Sequence, residues 1–148
     1  MIAMTGGFRR LVLTGIAGTA AAVALTTFAA AVAEAAGVGF VIPGGGGEAI
    51  PLSGFAVVTG LFSVVGVVMA AAFLRWSAHP ARRFLVTSVA LTMISLVPPL
   101  ISGASAGTVT VLIVLHLVAA AVMIPALTKV LSAGSGSGAS PAPAARPA

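Results

Sequence analysis

The sequence predicts an all-α fold: an integral membrane bundle of four antiparallel transmembrane helices with a disordered C-terminal tail. Three observations carry this. Of 148 residues, 59% are hydrophobic and only 6% charged, where a soluble domain has about 25% charged residues. Four long runs are almost free of charge, and each suits the ~20 helical residues that cross a bilayer core of about 30 Å. Every Lys and Arg falls at the N-terminus, in one central turn, or toward the C-terminus.

The length allows one compact unit, a transmembrane domain over residues 1–131 with a tail over 132–148. Spans are expected at about 11–35, 52–74, 84–101 and 108–131. Mean hydropathy is +1.22. Cysteine is absent, which excludes disulfides and Cys-bound metal. The net charge of +5 does not point to nucleic acid, because the basic residues form no stripe with interleaved aromatics.

Residues 1–8 read as a short polar start, followed by Arg9-Arg10 and the uncharged run Leu11–Ala33. This opening also resembles a signal peptide with Ala31-Val32-Ala33 as a small-residue cleavage site. Signal-peptide apolar regions run only about 7–15 residues, so the length favours an uncleaved helix. Gly15, Gly18, Thr19, Ala22, Thr26, Ala29, Ala33 and Ala36 form a stripe of small residues along it. Such a stripe lets helices approach closely in lipid, and it reads as a packing face.

Pro43 and Gly44–Gly47 mark a loop. Without a preceding strand and a following Lys-Ser or Lys-Thr, the glycines have no phosphate-loop meaning. Leu52–Leu74 is the second span, where Gly54, Gly60 and Gly66 suggest local close contacts. Arg75 and Trp76 end it at the interface, and Pro80 stops any continuation. His79 in this turn is expected to be solvated. Phe84–Ile101 is the third span, with Ser88, Thr92, Ser95 and Ser102 along one side. Pro98-Pro99 interrupt it and free the carbonyls of Ile94 and Ser95. Thr108–Leu131 is the fourth span, containing His116 and Pro125.

With four spans, Arg9, Arg10, Arg75, Arg82, Arg83, Lys129 and Arg146 share one side, and Glu34 and Glu48 share the other. The positive-inside rule then places both termini in the cytoplasm of a cell whose plasma membrane holds the chain as a multi-pass protein. Six Arg against one Lys, with abundant Ala, Val and Gly, suits a GC-rich bacterial genome.

Arg9-Arg10 before an Ala-rich span, Ser95–Leu100 (SLVPPL) and Leu115–Pro125 (LHLVAAAVMIP) resemble an actinobacterial family of small four-helix membrane proteins of unknown function. The resemblance covers residues 9 to about 130. It implies the four-helix fold and no catalytic residue.

No enzymatic constellation is legible: catalytic, cofactor-binding and metal-ligating residues are all expected to be none. Two carboxylates and two separated histidines supply neither a metal site nor a triad. Glu34 invites comparison with small multidrug transporters, which couple protons through a Glu in the first of four helices. It lies 24 residues beyond Arg10, about 36 Å at 1.5 Å per residue, which is headgroup level. A solvated interfacial carboxylate is the better reading.

His116 is the one ionisable group well inside the predicted hydrocarbon, where such residues are functional candidates by default. Counting about 1.5 Å per residue from the basic interface puts His116, Ser95, Ser63 and Thr26 at about 17–24 Å, in one polar layer. His116 is expected to face the third span and bond a freed carbonyl or the Ser95 hydroxyl. The leading functional expectation is a structural or accessory membrane component. Its partners would be the lipid bilayer and, beside it, a homo-oligomer or larger membrane complex. The alternative is a small transporter using His116 as a protonatable or substrate-contacting group.

Overall fold

A computed structural model of the chain describes residues 2–41, 43 and 48–136. Five helices follow in order: α1 (Ile2–Ala35), α2 (Leu52–Trp76), α3 (Pro80–Ser95), α4 (Val97–Ile101) and α5 (Ala106–Gly136). Together they make four segments long and apolar enough to cross a membrane, at Gly6–Ala35, Leu52–Trp76, Pro80–Ile101 and Ala106–Gly134. The four-span architecture is therefore present, with α3 and α4 sharing the third span.

Three boundaries differ most from the sequence reading, one of them the start of α3, which lies at Pro80 and not at Phe84. α1 begins at Ile2, so Arg9 and Arg10 lie inside a helix and not after a polar start. α5 runs on to Gly136, through the first five residues of the expected tail. Leu131 is fully buried, and this anchors the last turns. The remainder of the expected tail and the glycine run lie outside the described residues. Pro125, near the expected end of the last span, does not end it.

α1 packs on α2 and α5, α3 packs on α5 and α2, and α1 does not touch α3. The bundle is thus a four-cornered ring with α1 and α3 on opposite corners. In lipid there is little hydrophobic drive between helices, so close van der Waals fit must hold them. The buried positions of α1 are Leu11 and the small Gly15, Gly18, Ala22, Thr26 and Ala30; of the expected stripe, Thr19, Ala29 and Ala33 are half-buried, and Ala36 is exposed just beyond the helix. The buried positions advance by three or four residues, the spacing of one helical face. A Cβ at Gly15 would sit 2.7 Å from Val67 Cγ2 on α2, and one at Gly18 would sit 3.1 Å from Met123 Sδ on α5. α1 can therefore approach both neighbours only because these residues lack side chains. Gly66, expected to mark a close contact, faces open space.

Two hydrophobic clusters fill the bundle. One lies at the basic end and joins Leu11, Ala70, Phe84, Met123, Leu127 and Leu131, with members from all four spans. The other lies at the opposite end and joins Ala30, Phe40, Phe55, Leu112 and Leu115. No residue of α3 or α4 belongs to it. The loop between α1 and α2 fills that place.

This loop is built locally. Gly37, at φ +89°, ends α1 in the left-handed conformation that glycine adopts without strain. The Val38 N–H donates to the Ala33 carbonyl at 3.0 Å, closing a Schellman turn. Val41 and Ala49 then form an antiparallel bridge, and the Ile50 N–H donates to the Phe40 carbonyl at 3.0 Å. The bridge folds Phe40 inward until it is 2% exposed, edge-on to Phe55 with ring centroids 4.8 Å apart.

At the third span, the chain turns at Leu96, where its N–H reaches back three residues to the Met93 carbonyl at 3.3 Å. Pro98 and Pro99 occupy the first turns of α4, where a missing N–H costs little. The expected interruption is thus a break between two helices.

Candidate functional site

The sequence-predicted polar residues fall between the two hydrophobic clusters. On α1 the gap spans Val23–Phe28, on α2 Ala56–Gly66, and on α5 His116–Ala121. Thr26, Ser63 and His116 all lie in it. Thr26 and Ser63 are buried, and His116 and Ser95 are half-buried.

Some hydroxyls in this layer are bonded close by, whereas that of Thr27 is buried without a partner among the described residues. The Thr26 hydroxyl donates to the Ala22 carbonyl at 2.8 Å. The same hydroxyl lies 3.1 Å from the Thr59 oxygen on α2, which accepts its single proton when that proton turns from the α1 backbone toward α2. Thr59 is one turn before Ser63 on the same face of α2, which gives α1 and α2 a shared polar seam. Such intramembrane bonds contribute about 0.6 kcal/mol on average, enough to set register more than to hold helices together.

On α3, Thr92 donates to the Ser88 carbonyl at 2.8 Å and Ser95 donates to the Thr92 carbonyl at 2.7 Å. Serine and threonine in helices commonly bond backward in this way. Ser88 is buried and its hydroxyl finds no partner among the described residues.

His116 departs from expectation. Its Nδ1 lies 2.7 Å from the Leu112 carbonyl, one turn back on α5. The expected direct bond to Ser95 or to a carbonyl freed by the prolines is not formed. The physical reason is proximity: a ring nitrogen reaches the i−4 carbonyl without ordering any other helix. Since a carbonyl only accepts, Nδ1 carries the hydrogen in this contact. Nε2 makes no hydrogen bond among the described residues.

The layer is therefore less united than the height count suggested. Thr26 and the Thr59–Ser63 face come together, whereas Ser95 and His116 each turn back on their own helix. Sequence reading missed Thr59, whose four-residue spacing from Ser63 was the available signal. It also missed a second polar knot at the acidic end. There the Thr108 hydroxyl, fully buried, donates to the Gly39 carbonyl at 2.6 Å. The Thr108 N–H in turn donates to Ser105 Oγ at 3.2 Å. Ser105 caps α5, and the Ser-x-x-Thr spacing at its start was legible as a helix-start signal. The knot pins the Phe40 loop to α5.

Glu34 is exposed at the same end, as a solvated interfacial carboxylate would be, and His79 is exposed in the turn at the other end. Among the described residues, no three His, Asp or Glu side chains come together.

Four apolar spans, joined by two loops at the acidic end and one turn at the basic end, define a small multi-pass membrane protein. The chain belongs to a family of unknown function, DUF6069, which it matches over residues 6–133. That range takes in all four spans. No curated protein sequence and no solved structure matches the chain.

Proposed function

We propose that the chain is a non-enzymatic structural or accessory component of a membrane, acting through contacts with lipid and with other membrane proteins. One observation carries this reading: five polar side chains of the spans are bonded within the bundle, although the buried hydroxyls of Thr27, Ser88 and Thr128 have no partner among the described residues. Thr26, Thr59, Thr92, Ser95 and His116 bond to carbonyls of their own helix or to the adjacent helix. Meanwhile the outward faces are apolar, with Phe28, Val57, Leu61, Phe62, Val68, Met93 and Ile101 exposed. Outward apolar faces on every span suit lipid and other helices as partners.

Placing the basic end in the cytoplasm, both termini included, follows the positive-inside rule. The resemblance to an actinobacterial family supports a bacterial plasma membrane as its home, and the excess of Arg over Lys suits a GC-rich genome. A cytoplasm-active reporter after Leu131 and a periplasm-active reporter in the loop after Pro43 are both expected to be active. An outward C-terminus would overturn the orientation. For the accessory role, gentle solubilisation from the native membrane should give a stable assembly well above the 14.3 kDa of the chain. Migration as a lone chain at native abundance would count against it.

A second reading rests on the free Nε2 of His116, a proton acceptor inside a span. Under it the chain is a small transporter with His116 as its protonatable group. Reconstituted protein that moved a solute with the proton gradient, and lost this on His116→Ala, would establish that reading over the first.

A further inference from the structure

One end of the bundle gathers Arg9, Arg10, Arg75, Arg82, Arg83 and Lys129, all exposed. Glu34 and Glu48 both lie at the other end. The cations therefore have no protein carboxylate within reach among the described residues. Trp76, 78% exposed, stands beside Arg75 at the same level. An exposed indole next to a basic residue at a span's end belongs in the headgroup layer of a bilayer. The nearest anions at that depth are lipid phosphates.

Within this end lies a groove of about 280 Å³ between the α2–α3 turn and the last turns of α5. Ala78, His79, Pro80, Ala81 and Arg82 line one side and Ser132 the other. Its walls are mainly apolar, with Pro80 buried and Ala81 half-buried, while His79 and Arg82 stand exposed at the rim. The turn is well held. The Ser77 N–H donates to the Phe73 carbonyl at 3.0 Å, the His79 N–H donates to Ser77 Oγ at 3.2 Å, and Pro80 fixes the backbone that follows. The Ser132 hydroxyl donates to the Thr128 carbonyl at 3.0 Å, so its proton is committed. The donors left to the groove are the Arg82 guanidinium and the His79 ring.

A cationic rim over apolar walls complements a phosphodiester that carries an acyl glycerol. A free, fully hydrated phosphate would gain nothing from the walls. The geometry points to an anionic phospholipid seated in this groove, its phosphodiester on Arg82 and His79 and its glycerol against Pro80, Ala81 and α5. Basic pockets between transmembrane helices hold anionic headgroups by this combination of charge and shape.

The test uses the full chain in a neutral detergent, with phosphatidylglycerol and phosphatidylcholine offered in equal amount. Retained lipid is read by native mass spectrometry. Phosphatidylglycerol should be preferred, and Arg82→Gln should lower that preference about fivefold, as expected for one cation near a phosphate at about 1 kcal/mol. Arg9→Gln removes the same charge from α1, which does not touch α3, and should leave the preference nearly unchanged. Both residues are exposed, and an unaltered thermal unfolding curve for each variant verifies its fold. Equal retention of the two lipids by the parent chain would overturn the proposal. So would an equal loss in both variants, which would mean a diffuse field and not a site. Displacement of phosphatidylglycerol by millimolar inorganic phosphate would replace the lipid with a free anion and overturn the assignment.

Discussion

The two ends of the bundle are packed by different means. At the basic end four spans meet side by side, and Phe84 brings α3 into a cluster with Leu11, Leu127 and Leu131. At the acidic end the cluster draws on α1, α2 and α5, with Phe40 of the loop as its fourth contributor, while α4 touches α5 without joining it. α3 shows the asymmetry along its own length. Its buried residues are Pro80, Phe84 and Ser88, all toward the basic end. Farther along α3, Leu91, Met93 and Ile94 are exposed, and in α4 Val97 is exposed while Pro99 is buried. The contrast separates two kinds of energy. Truncating a side chain within the spans leaves a cavity but exposes apolar surface to lipid tails, which cost little. Phe40 belongs to a loop within reach of water, so its burial carries the hydrophobic transfer term as well.

Phe40→Ala is accordingly expected to have the largest effect, about 3–5 kcal/mol of unfolding free energy, since it loses both the transfer and the cavity contributions. Hydrogen exchange should speed up across the loop and the start of α5 and leave α3 unchanged. Rapid exchange in α3 would break the separation of the two ends. Phe84→Ala should cost less, about 2 kcal/mol, from the cavity contribution of about 24 cal/mol per Å³ alone. Denaturant titration in mixed micelles measures both. If Phe84→Ala proved costlier than Phe40→Ala, the lipid-versus-water account of the two ends would fail.

Gly15→Val tests the tightest helix approach, on the basic side of the waist. The new side chain would collide with Val67, at a cost of about 1–3 kcal/mol from overpacking. Adding Val67→Ala should restore most of it, because residues in contact show non-additive effects. Additive losses would mean that α1 and α2 do not meet there. The smallest effect belongs to the waist itself: Thr26→Ala should cost about 0.6 kcal/mol, the average worth of an intramembrane hydrogen bond. Thr59→Ala should cost nothing further once Thr26 is gone, as a thermodynamic cycle over the four variants would show.

The sequence by itself determined the four spans, the sidedness of charge, the small-residue face of α1 and the break at Pro98-Pro99. These follow from run length, composition and local backbone chemistry, which act over a few turns of helix. Of the residues it counted into one polar layer, Thr26, Ser63 and His116 lie between the two clusters, while Ser95 bonds back on its own helix. What a height count lacks is azimuth, and so it paired His116 with Ser95, whereas His116 bonds Leu112 and Thr26 meets Thr59. Tertiary structure alone decided those partners, the neighbour order in which α1 and α3 never touch, and the use of Phe40 as a fourth wall. Each depends on how helices rotate about their axes and on where a loop folds back. Near-uniform apolar helices carry little periodic signal for rotation, so it is settled by steric fit at particular points such as Gly15 against Val67.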